Sequence, residues 1–110
     1  LHSACIELHK DYCMLIEEMR KFISEAPPSV EKLKDKFDEF YARESILTGR
    51  REKIYDNVTA SQSNLKIYES TRIKKKLMMA YEDKTAVINI LIKIQVLIGK
   101  SNIKETKKRL

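Results

Sequence analysis

Apolar residues recur along this chain at alternating intervals of three and four, the period of one helix face, in three long runs. Leu1, Cys5, Leu8, Tyr12, Leu15, Met19 and Phe22 make the first, a nearly unbroken heptad seam of the kind that packs at a shallow angle. Ile6, Cys13, Ile16 and Ile23 form a second stripe beside it, which predicts a buried face wide enough for two neighbouring helices. Ala26-Pro27-Pro28 ends this helix, because proline donates no amide hydrogen and disfavours helical geometry in the residue before it.

Ser29 follows as an N-cap, with Glu31 in the first turn, where negative charge suits the helix dipole. Val30, Leu33, Phe37, Phe40, Leu47, Ile54 and Val58 carry the second stripe, but Glu44 and Arg51 occupy two of its positions. Gly49 lies in the same faltering region, where a mid-helix glycine costs about 1 kcal/mol relative to alanine. The pattern favours one continuous helix to about Asn57 over a break near Thr48-Gly49. Residues 56–64, DNVTASQSN, are rich in side chains that compete for backbone hydrogen bonds and so predict the second connection.

The third run starts near Leu65. Ile73, Leu77, Ala80, Val87, Leu91, Ile94 and Ile98 share one face, with Lys84 the only misfit, and Gly99 supplies a C-cap. Within it, Ala86 to Ile98 reads AVINILIKIQVLI, ten apolar residues of thirteen. This stretch organises the chain, since a helix apolar around most of its circumference must be covered on several sides. It is shorter and more interrupted than the roughly 20 apolar residues of a bilayer span.

The reading is an all-α fold: three long, antiparallel helices at about 2–25, 29–57 and 64–98, forming a bundle or coiled-coil-like module. A basic, frayed tail is expected over 99–110. Helices of roughly 36, 42 and 51 Å at 1.5 Å per residue leave the third overhanging the first. Leu91, Ile94 and Ile98 continue the face begun by Ile73 and Leu77 and belong to the internal core. Ile88 and Ile92 lie off it. The five together mark the stretch expected to engage a partner.

Composition supports this reading. Two glycines and two prolines in 110 residues, with 35% charged and 43% hydrophobic, fit long helices rather than turn-rich sandwiches or barrels. The N-terminal pattern is acidic and periodic, unlike a signal peptide. The chain begins at Leu1, inside a heptad and without methionine, which reads as a segment of a longer protein. Net charge is +6, distributed as −2 over residues 1–28, zero over 29–60 and +8 over 61–110. An acidic first helix beside a basic third one is attractive, and helix pairing is the favoured reading of that asymmetry over a dedicated anion site.

Candidate chemistry is sparse. His2, Cys5, His9 and Cys13 fall within an arc of about 80° on a helix, as a metal-ligand set does. His2 and Cys13 are nevertheless about 16 Å apart along the axis, so four atoms cannot meet one ion. No metal and no cofactor is expected. A Cys5–Cys13 disulfide is excluded within a straight helix, where eight residues span about 12 Å against the 7 Å a bridge allows. Two unpaired thiols, read as buried, suit a reducing compartment, cytoplasmic or nuclear. The neighbouring carboxylates Glu17-Glu18, Asp38-Glu39 and Glu82-Asp83 point about 100° apart on a helix and not across a cleft, and no nucleophile–base set or phosphate loop is present. Enzyme activity and a small-molecule substrate are not expected.

Arg72, Lys74, Lys75 and Lys76 form one basic cluster, and Lys107, Lys108 and Arg109, with Lys104, another. Both are candidate anion-binding groups. No family is identified from the sequence. DYCMLIEEM (residues 11–19) and AYEDK (residues 80–84) resemble the N-terminal helical dimerisation region of inhibitor-of-growth chromatin proteins, but the leucine–proline element of that region is missing, and no function is carried over. The sequence thus points to a helical scaffold or assembly module that joins protein chains, its own copies or another helical subunit, within a larger intracellular complex. The alternative is an adaptor binding nucleic acid or another anionic surface through the basic third helix and tail.

Overall fold

The computed structural model describes residues 2–25, 29–60 and 67–109. It is an all-α bundle of three mutually packed helices, α1 (His2–Ser24), α2 (Val30–Ala60) and α3 (Ile67–Arg109), with no strand among the described residues. Asp11 meets Arg50 and Glu18 meets Arg43, so α2 descends as α1 rises; Glu44 meets Lys84 and Arg51 reaches Leu77, so α3 rises again.

The core is the set of stripes legible in the sequence. Leu8, Tyr12, Leu15 and Met19 of α1, Leu33, Phe40 and Val58 of α2, and Leu77, Val87 and Ile94 of α3 are all but sealed from solvent. Burying each large aliphatic side chain contributes about 1.5–3 kcal/mol, which is what fixes the register of the three helices. Ser29 caps α2 as expected: its hydroxyl accepts from the Lys32 amide at 3.3 Å and its carbonyl from the Leu33 amide.

Several boundaries differ from the sequence reading. α2 runs to Ala60 and not to Asn57, because Val58 is buried and anchors a further turn. The connection proposed over 56–64 is therefore helical through 60, and residues 61–64 lie outside the described set, as do Ala26, Pro27 and Pro28. Gly99 does not cap α3. It keeps ordinary negative φ, and the helix continues to Arg109, so most of the expected frayed tail is helical. A single glycine costs too little to stop a helix whose following residues, Lys100, Lys104 and Lys107 among them, are good helix formers.

The wide second stripe of α1 is only partly buried. Ile16 and Ile23 pack inward, whereas Ile6 and Cys13 are exposed, so the cysteines are not a buried pair. α2 is unbroken at Gly49, and nothing lies within 4 Å of the position a β-carbon would take there. Gly49→Ala is therefore expected to stabilise the bundle by about 0.5–1 kcal/mol, read as a higher midpoint in urea at unchanged slope.

Candidate functional site

Glu44 and Lys84, two of the three charges that break the core stripes of α2 and α3, lie opposite one another. Glu44 is 7% exposed; the Thr48 hydroxyl one turn on donates to its Oε1, and Lys84 Nζ stands 3.9 Å from that oxygen. Arg51, the other misfit, donates from Nε to the Leu77 carbonyl at 3.1 Å and lays its guanidinium over the Tyr81 ring. On the α1 side, His9 Nδ1 lies 2.7 Å from Asp83 Oδ2. Together these groups form a polar layer across mid-bundle. Tyr12 completes it: its hydroxyl is sealed in the core near the Thr48 hydroxyl, with no hydrogen bond of good geometry among the described residues. Burial pushes the phenol above its ordinary range; the nearby Thr48 hydroxyl pulls it down and the Glu44 carboxylate pushes it further up. An orphaned buried hydroxyl costs about 1–3 kcal/mol, so Tyr12→Phe is expected to hold or raise the melting temperature.

His9 also contacts Cys13, whose Sγ is 3.6 Å from Nε2. Cys13, His9 and Asp83 thus stand in the order nucleophile, base, orienting acid, and sequence reasoning missed the third member because it is 74 residues away. The electrostatics oppose that role. Partial burial and the carboxylates of Asp83 and Glu17 push the Cys13 thiol up, whereas an activated nucleophile needs it lowered. Cys5 is pushed up too, by burial. No group of three or more His, Cys, Asp or Glu positioned to hold a metal occurs among the described residues. Of the proposed metal-ligand set, His9 and Cys13 touch, Cys5 is in the core, and the His2 side chain is outside the described set.

The organising stretch divides as its two faces require. Leu91 (6% exposed) and Ile94 (0%) are core residues and so are closed to a partner, and Ile98 is half-buried against the core. Ile88 (37%) and Ile92 (50%) point outward. Sequence reasoning missed how far that outer face extends. Met78, Tyr81, Ile88, Ile92, Val96 and Ile103 are all exposed. On a helix they share an arc of about 80°, centred about 120° around from the core stripe, with Thr85 and Gly99 filling the same register. The stripe runs about 38 Å along α3. It was legible as intervals of three and four between these residues, hidden by the stronger core stripe beside it.

The basic residues do not form one patch. Arg72, Lys74 and Lys75 are exposed and Lys76 is half-buried; on a helix Arg72, Lys75 and Lys76 fall within an arc of about 100°, and Lys74 points to the other side. Lys107 is exposed; the side chains of Lys108 and Arg109 lie outside the described set. Two acids of α1, Asp11 and Glu18, pair with Arg50 and Arg43 of α2 and not with these residues.

Thr71–Lys104 also contains an 18-residue window of mean hydropathy 1.4, apolar enough by length and composition to cross a membrane, with 22% of it buried in the bundle. No protein-family model, characterised protein or solved structure matches the chain.

Proposed function

We propose that this chain is a non-enzymatic helical assembly module that joins protein chains through the outward stripe of α3. The observation that supports the reading is the second apolar face of that helix, which neither α1 nor α2 covers. Its width favours a helix as the occupant: one apolar side chain per turn is the seam of a coiled coil, whereas a helix lying in a membrane surface needs a broader apolar face. The apolar window of α3 is then the sum of two narrow faces, one turned to the core and one to a partner. Two free thiols fit a cytoplasmic or nuclear setting.

The test uses light scattering for self-association and, in parallel, binding of a designed helical peptide with a leucine seam and glutamine flanks. One or the other should be seen, and Ile88→Glu with Ile92→Glu should abolish it while Met14→Glu, at an exposed methionine of α1, leaves it intact. Association should survive high salt, since apolar packing does, whereas phosphate contacts weaken steeply. A chain that is monomeric at every concentration and binds no peptide contradicts the reading; so does binding only to a polyanion.

A further inference from the structure

Resting on that reading, we infer that the outer stripe of α3 is covered by the same stripe of a second copy, antiparallel, with the two-fold axis beside residue 90. The stripe is self-complementary under that operation. An isologous contact requires that wherever residue i meets residue j, j also meets i. Setting Ile88 opposite Ile92 of the second copy brings Tyr81 level with Gly99, and brings Thr85 and Val96, and Met78 and Ile103, to within one residue of level, about 1.5 Å, each pairing occurring twice.

Size complements size in these layers. Tyr81 is the bulkiest residue of the stripe, and Gly99, which it meets, has no side chain and nothing within 4 Å of where a β-carbon would lie. Tyr81 is also held in place: the Arg51 guanidinium sits 5.3 Å from the ring centroid, while 56% of the residue remains open to solvent. This gives an exposed glycine in the interior of a 43-residue helix a purpose that the isolated bundle does not supply.

Charge agrees with the same register. Glu82 and Lys100 lie on one flank of the stripe and come within two residues of level across the axis, about 3 Å, twice by symmetry, and Lys93 comes as near to the neutral Asn89. Lys75 and Lys107 bring like charges to the same two-residue offset, at exposed ends where salt screens them. A parallel pairing would instead place Tyr81 beside Tyr81 and leave Gly99 facing an empty layer.

The test is sedimentation of the full chain from micromolar to near-millimolar concentration. Mass should rise to that of a dimer, and Gly99→Leu should weaken association about a hundredfold by filling the space Tyr81 enters. The same variant should melt no lower than wild type when both are dilute, because leucine is a better helix former than glycine and its β-carbon enters open space on the exposed side of the helix. Mixing Ile88→Cys with Ile92→Cys, in a Cys13→Ser background, should give more dimer with a short bismaleimide than either variant alone. A wild type that stays monomeric overturns the second copy; if it still binds the leucine-seam peptide through Ile92, the assembly reading survives and only this inference falls. A dimer indifferent to Gly99→Leu, or one cross-linked best by Ile88→Cys alone, overturns the antiparallel register.

Discussion

Leu91→Glu is expected to unfold the bundle, whereas Ile92→Glu, one residue further on, is expected to leave helix content and melting temperature nearly unchanged. Leu91 sits in the core, so the substitution forfeits about 1.5–3 kcal/mol of apolar burial and adds the cost of an unpaired charge, several kcal/mol more. That sum is comparable with the whole stability of a domain this size, about 5–15 kcal/mol. Ile92 is half exposed in the monomer, and its carboxylate would remain in water. Circular dichroism through thermal melts of the two dilute variants reads the difference. Equal damage from both would mean that the outer stripe is structural.

The second large effect concerns the polar layer. Lys84→Met removes the ammonium that stands near Glu44 and leaves a nearly sealed carboxylate that still accepts from the Thr48 hydroxyl. The expected cost is about 1–3 kcal/mol, reduced because Lys84 is partly open to solvent. Adding Glu44→Leu should recover that loss or more, since two apolar residues in those places continue the stripes of α2 and α3. A double-mutant cycle in urea measures the coupling. If Lys84→Met costs nothing, the carboxylate is satisfied without the lysine.

The same two residues show what the sequence carried. Glu44 and Lys84 each stood out as a charge in an apolar period, and that period was strong enough to assign three helices and the core. Their pairing was not legible, because it depends on how far α2 slides along α3. His9 and Asp83 were out of reach for the same reason. Gly99 was misread because stop signals are local and a single glycine's penalty is small beside the propensity of the residues that follow. Ile6 and Cys13 were assigned to the core by their stripe alone, although a face bordering two neighbours is closed only where those neighbours lie. The charge asymmetry is real, yet Asp11 and Glu18 of α1 pair with arginines of α2, and the α1–α3 contact between His9 and Asp83 takes its acid from α3. The outer stripe shared its period with the core stripe, and only burial separates the two.

The central claim, that the outer face of α3 is the docking face, is tested most directly by placing a reporter in it. The chain contains no tryptophan, so Val96→Trp supplies a single probe at an exposed stripe position. Its fluorescence should match a solvated indole when the protein is dilute and shift to the blue as concentration rises and the stripe is covered, and Ile92→Glu in the same chain should abolish the shift. Emission that stays at the solvated position while the protein assembles, or at every concentration and with every helical peptide, contradicts the claim.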